Sequence, residues 1–306
     1  MNHSGIARIL RAATVTTALA VTAVVAVPAT AGAAAAPAST VTGQVAAQGE
    51  TVVVDGVLNF RDAGGLPTRD GKRLRQGVLY RSGQLDEVTD DGLRTLSDLG
   101  LTSVIDFRTE AQRAEHPDRL PPAVAYLPLP VEAGGELQSF ADLLAMTPEE
   151  QEALLGDGKA RQMMIDSSRD FVTDPGKRAQ FATALHEIAN GDGATLVHCT
   201  GGRDRTGVMT AIVQGLLGVS RDDVIADYLR SNTELAGWKA SVLAQLEAAG
   251  MENPQFVEPL LEVDAAYLEA SADAAIDTYG SLWAFARDGL NVDSATLGKL
   301  RDRLLE

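Results

Sequence analysis

The stretch "ATLVHCTGGRDRTGVMTAIVQGLLG", Ala194 to Gly218, constrains the fold more than any other part of this chain. Its first six residues form a short apolar, β-branched run, which suits an inner strand of a sheet covered on both faces. Thr206 to Gly218 reads as an apolar helix. The residues between, Cys199-Thr200-Gly201-Gly202-Arg203-Asp204-Arg205, are then a strand-to-helix turn. In an open α/β sheet, ligands bind where such turns leave the carboxyl ends of the strands.

Other segments fit the same architecture. "TVVV" (51–54), "GVLYR" (77–81), "LTSVIDF" (101–107) and "VAYLPL" (124–129) read as strands. A helix is expected from a Thr89 cap to Gly100. Another follows Thr147, with Pro148 at its first position and Glu150 completing a capping box. The segment from Gly176 to Gly191 leads helically into the strand before Cys199. Ser220 and Asp223 form a second capping box, and from Thr233 the pattern is helical almost to the end. No internal repeat is present. The order predicts an α/β domain, with one central, mostly parallel sheet flanked by helices and a helical C-terminal part.

The N-terminus predicts a different role for its own residues. Residues 1–12 carry Arg8 and Arg11 and no acid, an uncharged apolar run of about fifteen residues follows, and small residues come next. This is the pattern of a secretory signal peptide over residues 1–33, with cleavage after Ala31 or Ala33. The run is short for a membrane span, which needs ~20 residues, so no stable membrane insertion is expected after cleavage. An uncleaved anchor is the alternative. Residues 34–50 carry a single charge, Glu50, and no apolar side chain larger than valine, and read as a disordered linker. Residues 51–306 form the remaining domain, large enough for a real core. Export makes the expected location extracellular.

The net charge is −16, and losing the two leader arginines takes it to −18. Such a chain is not expected to bind nucleic acid or anionic membranes. Attraction for an anion must come from a local site. The single cysteine excludes an intrachain disulfide.

Cys199 lies where such a local site would form. Glycines let successive N–H groups of the turn point inward, and a helix N-terminus adds positive potential, which together make a nest for a tetrahedral anion. The same field lowers the pKa of a thiol below about 8.5 and makes Cys199 a nucleophile. Arg205 can return over the loop and fork two hydrogen bonds to phosphate oxygens. Thr206 can bring its hydroxyl to the sulfur. Thr200, Gly201, Gly202 and Arg203 complete the substrate-binding set. A buried inert cysteine is the competing reading.

The general acid has two candidates. Asp204 lies inside the loop and is preferred; Asp106, ending the strand "LTSVI", is the alternative, with a structural partnership to Arg108 as its other reading. Arg203 faces either the phosphate, a second acidic group or solvent. His198 reads as a buried support of the loop. "NFRDAGG" (59–65) reads as a turn with a structural ion pair or as a brace of the loop. Met163, Met164, Phe171, Trp238 and Trp283 read as core. Residues 221–262, with Tyr228, Leu229, Leu235, Trp238, Val242 and Leu246, form either a fixed helical layer or a lid over Cys199.

The loop resembles the H-C-x5-R-[ST] signature of cysteine-dependent protein tyrosine phosphatases. "HCTGGRDRTG" is similar to the tyrosine-phosphatase-like family of bacteria, of the secreted mycobacterial type, whose usual form is H-C-x-A-G-K-D-R-T-G. Gly201 stands here for the usual Ala and Arg203 for the usual Lys. The resemblance extends through "LNFRDAGGLPTRDGKRLRQGVLYRSGQL" (58–85), "VIDFRTEAQRAEHPD" (104–118), "DDVIADYLRSN" (222–232) and "YGSLWAFARDGL" (279–290). It implies the tyrosine-phosphatase fold, no metal, no cofactor and an Asp at position 204. The expected activity is hydrolysis of phosphomonoesters through a cysteinyl phosphate. The substrate would be a phosphorylated protein, most simply phosphotyrosine, or a phosphoinositide. A non-catalytic phosphate-binding effector and a sulfurtransferase are the remaining readings; the Arg205–Thr206 pair at this spacing favours phosphate turnover.

Overall fold

A computed structural model describes residues 52–132 and 140–306. The predicted leader, the linker and Thr51 lie outside the described residues. The strands are β1 (Arg61–Asp62), β2 (Leu79–Ser82), β3 (Leu101–Asp106), β4 (Ala125–Pro128) and β5 (Ala194–His198). The helices before the loop are α1 (Asp90–Asp98), α2 (Glu110–Glu115), α3 (Phe140–Leu144), α4 (Pro148–Leu155), α5 (Lys159–Thr173) and α6 (Pro175–Asn190). After it come α7 (Asp204–Leu216), α8 (Arg221–Glu234), α9 (Ala236–Ala248), α10 (Glu258–Leu261), α11 (Ala265–Tyr279), α12 (Leu282–Ala284) and α13 (Ser294–Leu304).

The sheet order is β1-β2-β5-β3-β4, parallel throughout except for the antiparallel β1–β2 pair. β5 is central, as its short, mostly apolar and β-branched run predicts. Alternate side chains of a strand point to opposite faces, and each face here is buried. Leu79, Ile105 and Val197 face the larger core with α5, α6, α7, α8, α11 and α13, while Tyr80, Val104 and Leu196 face a smaller one with α1. The register aligns Ser82, His198 and Asp106 at the carboxyl ends of three adjacent strands. The loops that follow them therefore emerge side by side.

Local signals place most boundaries. Thr89 caps α1 by accepting from the Gly92 N–H, and Thr147 forms the full capping box of α4 with Glu150. At α8 the Ser220 hydroxyl accepts from the Asp223 N–H and donates to the Asp223 carboxylate, so the reciprocal half runs through the side chains rather than the cap backbone. The expected strand at 51–54 is not one over Val52–Val54. Val54 is buried beside Leu85 and Val88 while Val53 is exposed. Its alternation reflects burial without a ladder partner, and the edge strand is instead β1.

Two corrections concern side chains. Trp283 is 49 % exposed, on the short α12, and is not core. The segment 221–262 divides in two: Val224 and Tyr228 of α8 belong to the main core, whereas α9, α10 and the turn between them pack with α3, α4 and the start of α5 in a separate cluster around Leu143, Leu155, Leu246 and Leu261. Among the described residues, no helix is long and apolar enough to cross a membrane.

Phe181 of α6 is fully buried between Phe107 and Phe171, at centroid distances of 5.2 and 6.1 Å. Phe181→Ala leaves a cavity in this packed interior and is expected to cost about 3–5 kcal/mol, read from urea unfolding. A loss below about 1 kcal/mol would mean that the site collapses freely.

Candidate active site

The turn after β5 closes in five residues and enters α7 at Asp204, two residues earlier than the apolar pattern suggests. Asp204 and Arg205 thus lie in the first helical turn, where an acidic residue suits the free N–H groups and the helix dipole. Gly202 has φ +65°, and a Cβ there would lie 2.2 Å from the Ser82 carbonyl oxygen. Only glycine lets the loop sit this close to the end of β2. The Thr200 carbonyl accepts from the Gln84 N–H at 3.0 Å. Among the described residues, the N–H groups of Gly201, Gly202 and Arg203 find no protein acceptor.

Cys199 is 2 % exposed. Burial pushes its thiol pKa up, but the Arg205 guanidinium, the Thr206 hydroxyl and the Thr206 N–H outweigh it, against a smaller opposing effect of Asp204, and the thiol is held below its ordinary value. The Thr206 hydroxyl is fully buried and finds no oxygen or nitrogen partner.

Arg205 is anchored from behind. Its Nη1 donates to the Phe107 carbonyl (3.0 Å), Gln112 Oε1 (3.0 Å) and the Val131 carbonyl (3.2 Å), and Nη2 donates to Thr200 Oγ1 (3.2 Å). Among the described residues no acceptor is found for its Nε, which with Nη2 forms the side-on edge from which an arginine can fork two oxygens. The fork is therefore oriented before any ligand arrives. Gln112 acts twice, because the same Oε1 accepts from the Thr109 N–H in the capping box of α2.

Arg203 lies over Gly201. A Cβ on Gly201 would meet Arg203 Nε at 2.9 Å, so an alanine there would have to push the flexible Arg203 side chain aside. The guanidinium donates from Nη2 to the Leu260 carbonyl and stands 5.4 Å from the Trp238 ring centroid. Its Nε and Nη1 are buried without a partner, and so is Asp204 Oδ1. Trp238, expected as core, is half-buried and serves as the face of this cation.

Asp106 is placed differently from Asp204. It is fully buried, takes a bidentate pair from Arg108 (2.9–3.1 Å) and accepts from the Tyr126 hydroxyl at 2.6 Å. Burial pushes its pKa up, but His198, Arg108 and Tyr126 prevail and hold it at about 2. Arg108 also reaches Asp118 at 2.5 Å, and His198 Nε2 lies 3.2 Å from Asp118. Asp106, Asp118 and His198 together offer donor atoms of the kind that hold a metal ion; the cation among them is the Arg108 guanidinium. His198 supports the loop from below, with Nδ1 3.3 Å from the Cys199 carbonyl.

A second buried ion cluster backs the loop on the other side. Asp227 of α8 pairs with Arg61 Nε and Arg81 Nη1, both at 3.0 Å, and accepts from Gln214 at 3.1 Å. "NFRDAGG" is thus divided: Arg61 joins this cluster, while Asp62 ties the turn by accepting from the N–H groups of Gly64 and Gly77. Arg81, Gln112 and Asp227 were not singled out for the site from the sequence, whereas Asn59 lies in the stretch that reads as a turn or a brace of the loop and Trp238 reads from the sequence as core or as part of a lid. The signal available for most of them was a polar residue inside an otherwise apolar segment.

The sequence profile of the tyrosine phosphatase family matches residues 52–306. The chain belongs to that family. A Cupriavidus necator protein named as a tyrosine-protein phosphatase is 34 % identical over 245 residues, 79 % of this chain and 85 % of that one. The triple specificity protein phosphatase PtpB of Mycobacterium tuberculosis is 32 % identical over 279 residues, 82 % of this chain and 97 % of that one. The match spans the whole described domain, and the activity is that of a phosphatase of this class.

Asp227 gives a pH test of the backing cluster. Burial opposes its ionisation, but Arg61 and Arg81 overcome this and hold its pKa at about 2. A depressed carboxylate contributes stability that is complete above its unfolded pKa of about 3.9 and is lost as pH falls through the folded value. Asp227→Asn is expected to cost about 3–5 kcal/mol at pH 7, since it strands two buried guanidinium groups. The gap to wild type should narrow between about pH 4 and about pH 2 in urea titrations. A gap independent of pH would remove the ion pairs from the explanation.

Proposed function

We propose that the protein is a secreted cysteine-dependent phosphatase acting on phosphomonoesters, protein phosphotyrosine first among them, through a cysteinyl-phosphate intermediate. The observation that carries this reading is the pairing of a buried, acidified Cys199 with the pre-oriented open edge of Arg205. Export rests on the charge and apolar pattern of residues 1–33.

In the first step the phosphate lies in the turn, with its oxygens on the loop N–H groups and the Arg205 fork. Cys199 Sγ attacks phosphorus as the bond from phosphorus to the leaving oxygen breaks, and Asp204 gives that oxygen its proton. In the second step water attacks phosphorus and gives its proton to Asp204. The S–P bond breaks, and inorganic phosphate leaves. The Thr206 hydroxyl, which has no other partner, steadies the departing thiolate. Asp204 suits the acid role because it stands on the loop, in the first turn of α7, with one oxygen unpaired. Asp106 suits it less: its carboxylate is saturated and ionised.

A phosphoinositide substrate is the second reading, and one observation favours it. Arg203 keeps two buried nitrogens without partners beside the loop, available to a second acidic group.

Four variants test the reading with phosphotyrosine peptide and with an activated aryl phosphate. Cys199→Ser is expected to lose turnover while still binding oxyanions. Arg205→Lys, which keeps charge but not the fork, is expected to fall at least about 10²–10³-fold in kcat/KM. Asp204→Asn should lose about 10²–10⁴-fold on the peptide and far less on the activated ester, whose leaving group needs no proton. A Cys199→Ser variant at near wild-type rate would refute the covalent route, and a leaving-group effect in Asp106→Asn alone would move the acid there. A turnover panel of phosphotyrosine peptide, phosphoserine peptide and phosphoinositide separates the two substrate readings.

A further inference from the structure

We propose that Asn59 is a positioning residue that sets the direction of the loop's donor groups; this rests on the turn after Cys199 being the phosphate site. Asn59 is buried beneath the crown of that turn, in the left-handed backbone region (φ +57°) that asparagine tolerates better than most residues. Its Nδ2 donates to the carbonyl oxygens of both Gly201 and Gly202, each at 3.0 Å. Arg81 Nη2 adds a bond to the Gly202 carbonyl at 2.9 Å.

A trans peptide is planar, with its C=O and N–H pointing in opposite directions. Drawing the carbonyls of Gly201 and Gly202 toward Asn59 therefore turns the N–H groups of Gly202 and Arg203 the other way, into the turn. This matters most at these two peptides. Gly201 and Gly202 are consecutive glycines, the residues with the widest backbone choice. A flipped peptide here would aim a carbonyl dipole at an anion and remove a donor from it.

The Asn59 amide cannot serve equally well turned over. Its Oδ1 accepts from Arg61 Nη1 at 2.5 Å, and Arg61 is itself held by Asp227 through Nε and by the Asp227 carbonyl at 2.9 Å. Reversing the amide would set its NH2 against a guanidinium and its oxygen against two carbonyls. The ion cluster of Arg61, Arg81 and Asp227 therefore fixes the amide of Asn59, and the amide fixes the loop.

The test uses tungstate as the oxyanion, with Asn59→Asp and Asn59→Gly. Asn59→Asp keeps the shape, the left-handed backbone and an acceptor for Arg61, but has no donor. Asn59→Gly keeps the backbone freedom and adds no charge. Both are expected to bind tungstate about tenfold or more weakly, and to shift the pH profile of Cys199 alkylation upward, because two amide dipoles no longer face the sulfur. In ¹⁵N-labelled wild-type protein, tungstate should shift the amide signals of Gly202 and Arg203 strongly. Reduced thermal stability with tungstate affinity and alkylation profile unchanged would leave Asn59 a purely structural residue and overturn the proposal. The wild-type spectrum decides even if neither variant folds: tungstate that competes with substrate but leaves those two amides unshifted overturns this inference alone. Wild-type protein that binds no tungstate overturns the phosphate-site reading with it.

Discussion

A thiol and a guanidinium are brought together inside the protein, and much of the structure exists to make that arrangement tolerable. Cys199 and Arg205 are both almost wholly buried, the first at the end of the central strand and the second in the first turn of the helix that follows. Burial alone would favour the neutral thiol. The opposing interactions are short and local: Arg205, the Thr206 hydroxyl and the N–H of the same residue. They work because the guanidinium cannot drift. Three acceptors hold its Nη1, and each belongs to a different loop at the carboxyl side of the sheet or to the helix capped there.

The two ion clusters flanking the turn follow from the same requirement. A loop that turns its N–H groups inward presents its carbonyls outward, into the protein, and buried carbonyls need donors. Arg81 supplies one from the side of α8, and His198 stands under Cys199 from the side of β3. Each buried guanidinium then needs a carboxylate. Asp227 balances Arg61 and Arg81, while Asp106 and Asp118 face Arg108 and His198. Buried pairs of this kind contribute little net stability and are costly to break. Their contribution is geometric, and it falls on the backbone of the loop.

Much of this was legible in the sequence where the determinants are local. The β5–turn–α7 unit, the Thr89 and Thr147 caps and the central position of β5 depend on residues within a few positions of one another. The neighbours of the turn depend on residues far apart. Asn59 lies 142 positions from Gly201, and Arg61 lies 166 from Asp227. No periodicity brings such pairs together; the sheet order, with β1 antiparallel beside β2 and β2 parallel beside β5, and the packing of α8 do. Exposure of Trp283 was hidden for a related reason, since α12 is a single short turn with no apolar stripe long enough to orient it. The departure from the usual family loop at Gly201 and Arg203 was visible as two substitutions, but the close approach of the Arg203 side chain to Gly201 appears only in the structure.

The central claim is that Cys199 carries the phosphoryl group during turnover. Rapid denaturing quench of wild-type protein in a single turnover with phosphotyrosine peptide, followed by mass analysis of the fragment containing Cys199, tests it directly. The account requires one phosphoryl group on Cys199 that forms and decays at rates consistent with turnover. Turnover at full rate with no phosphoryl group on that fragment, or with the group on another residue, would contradict it.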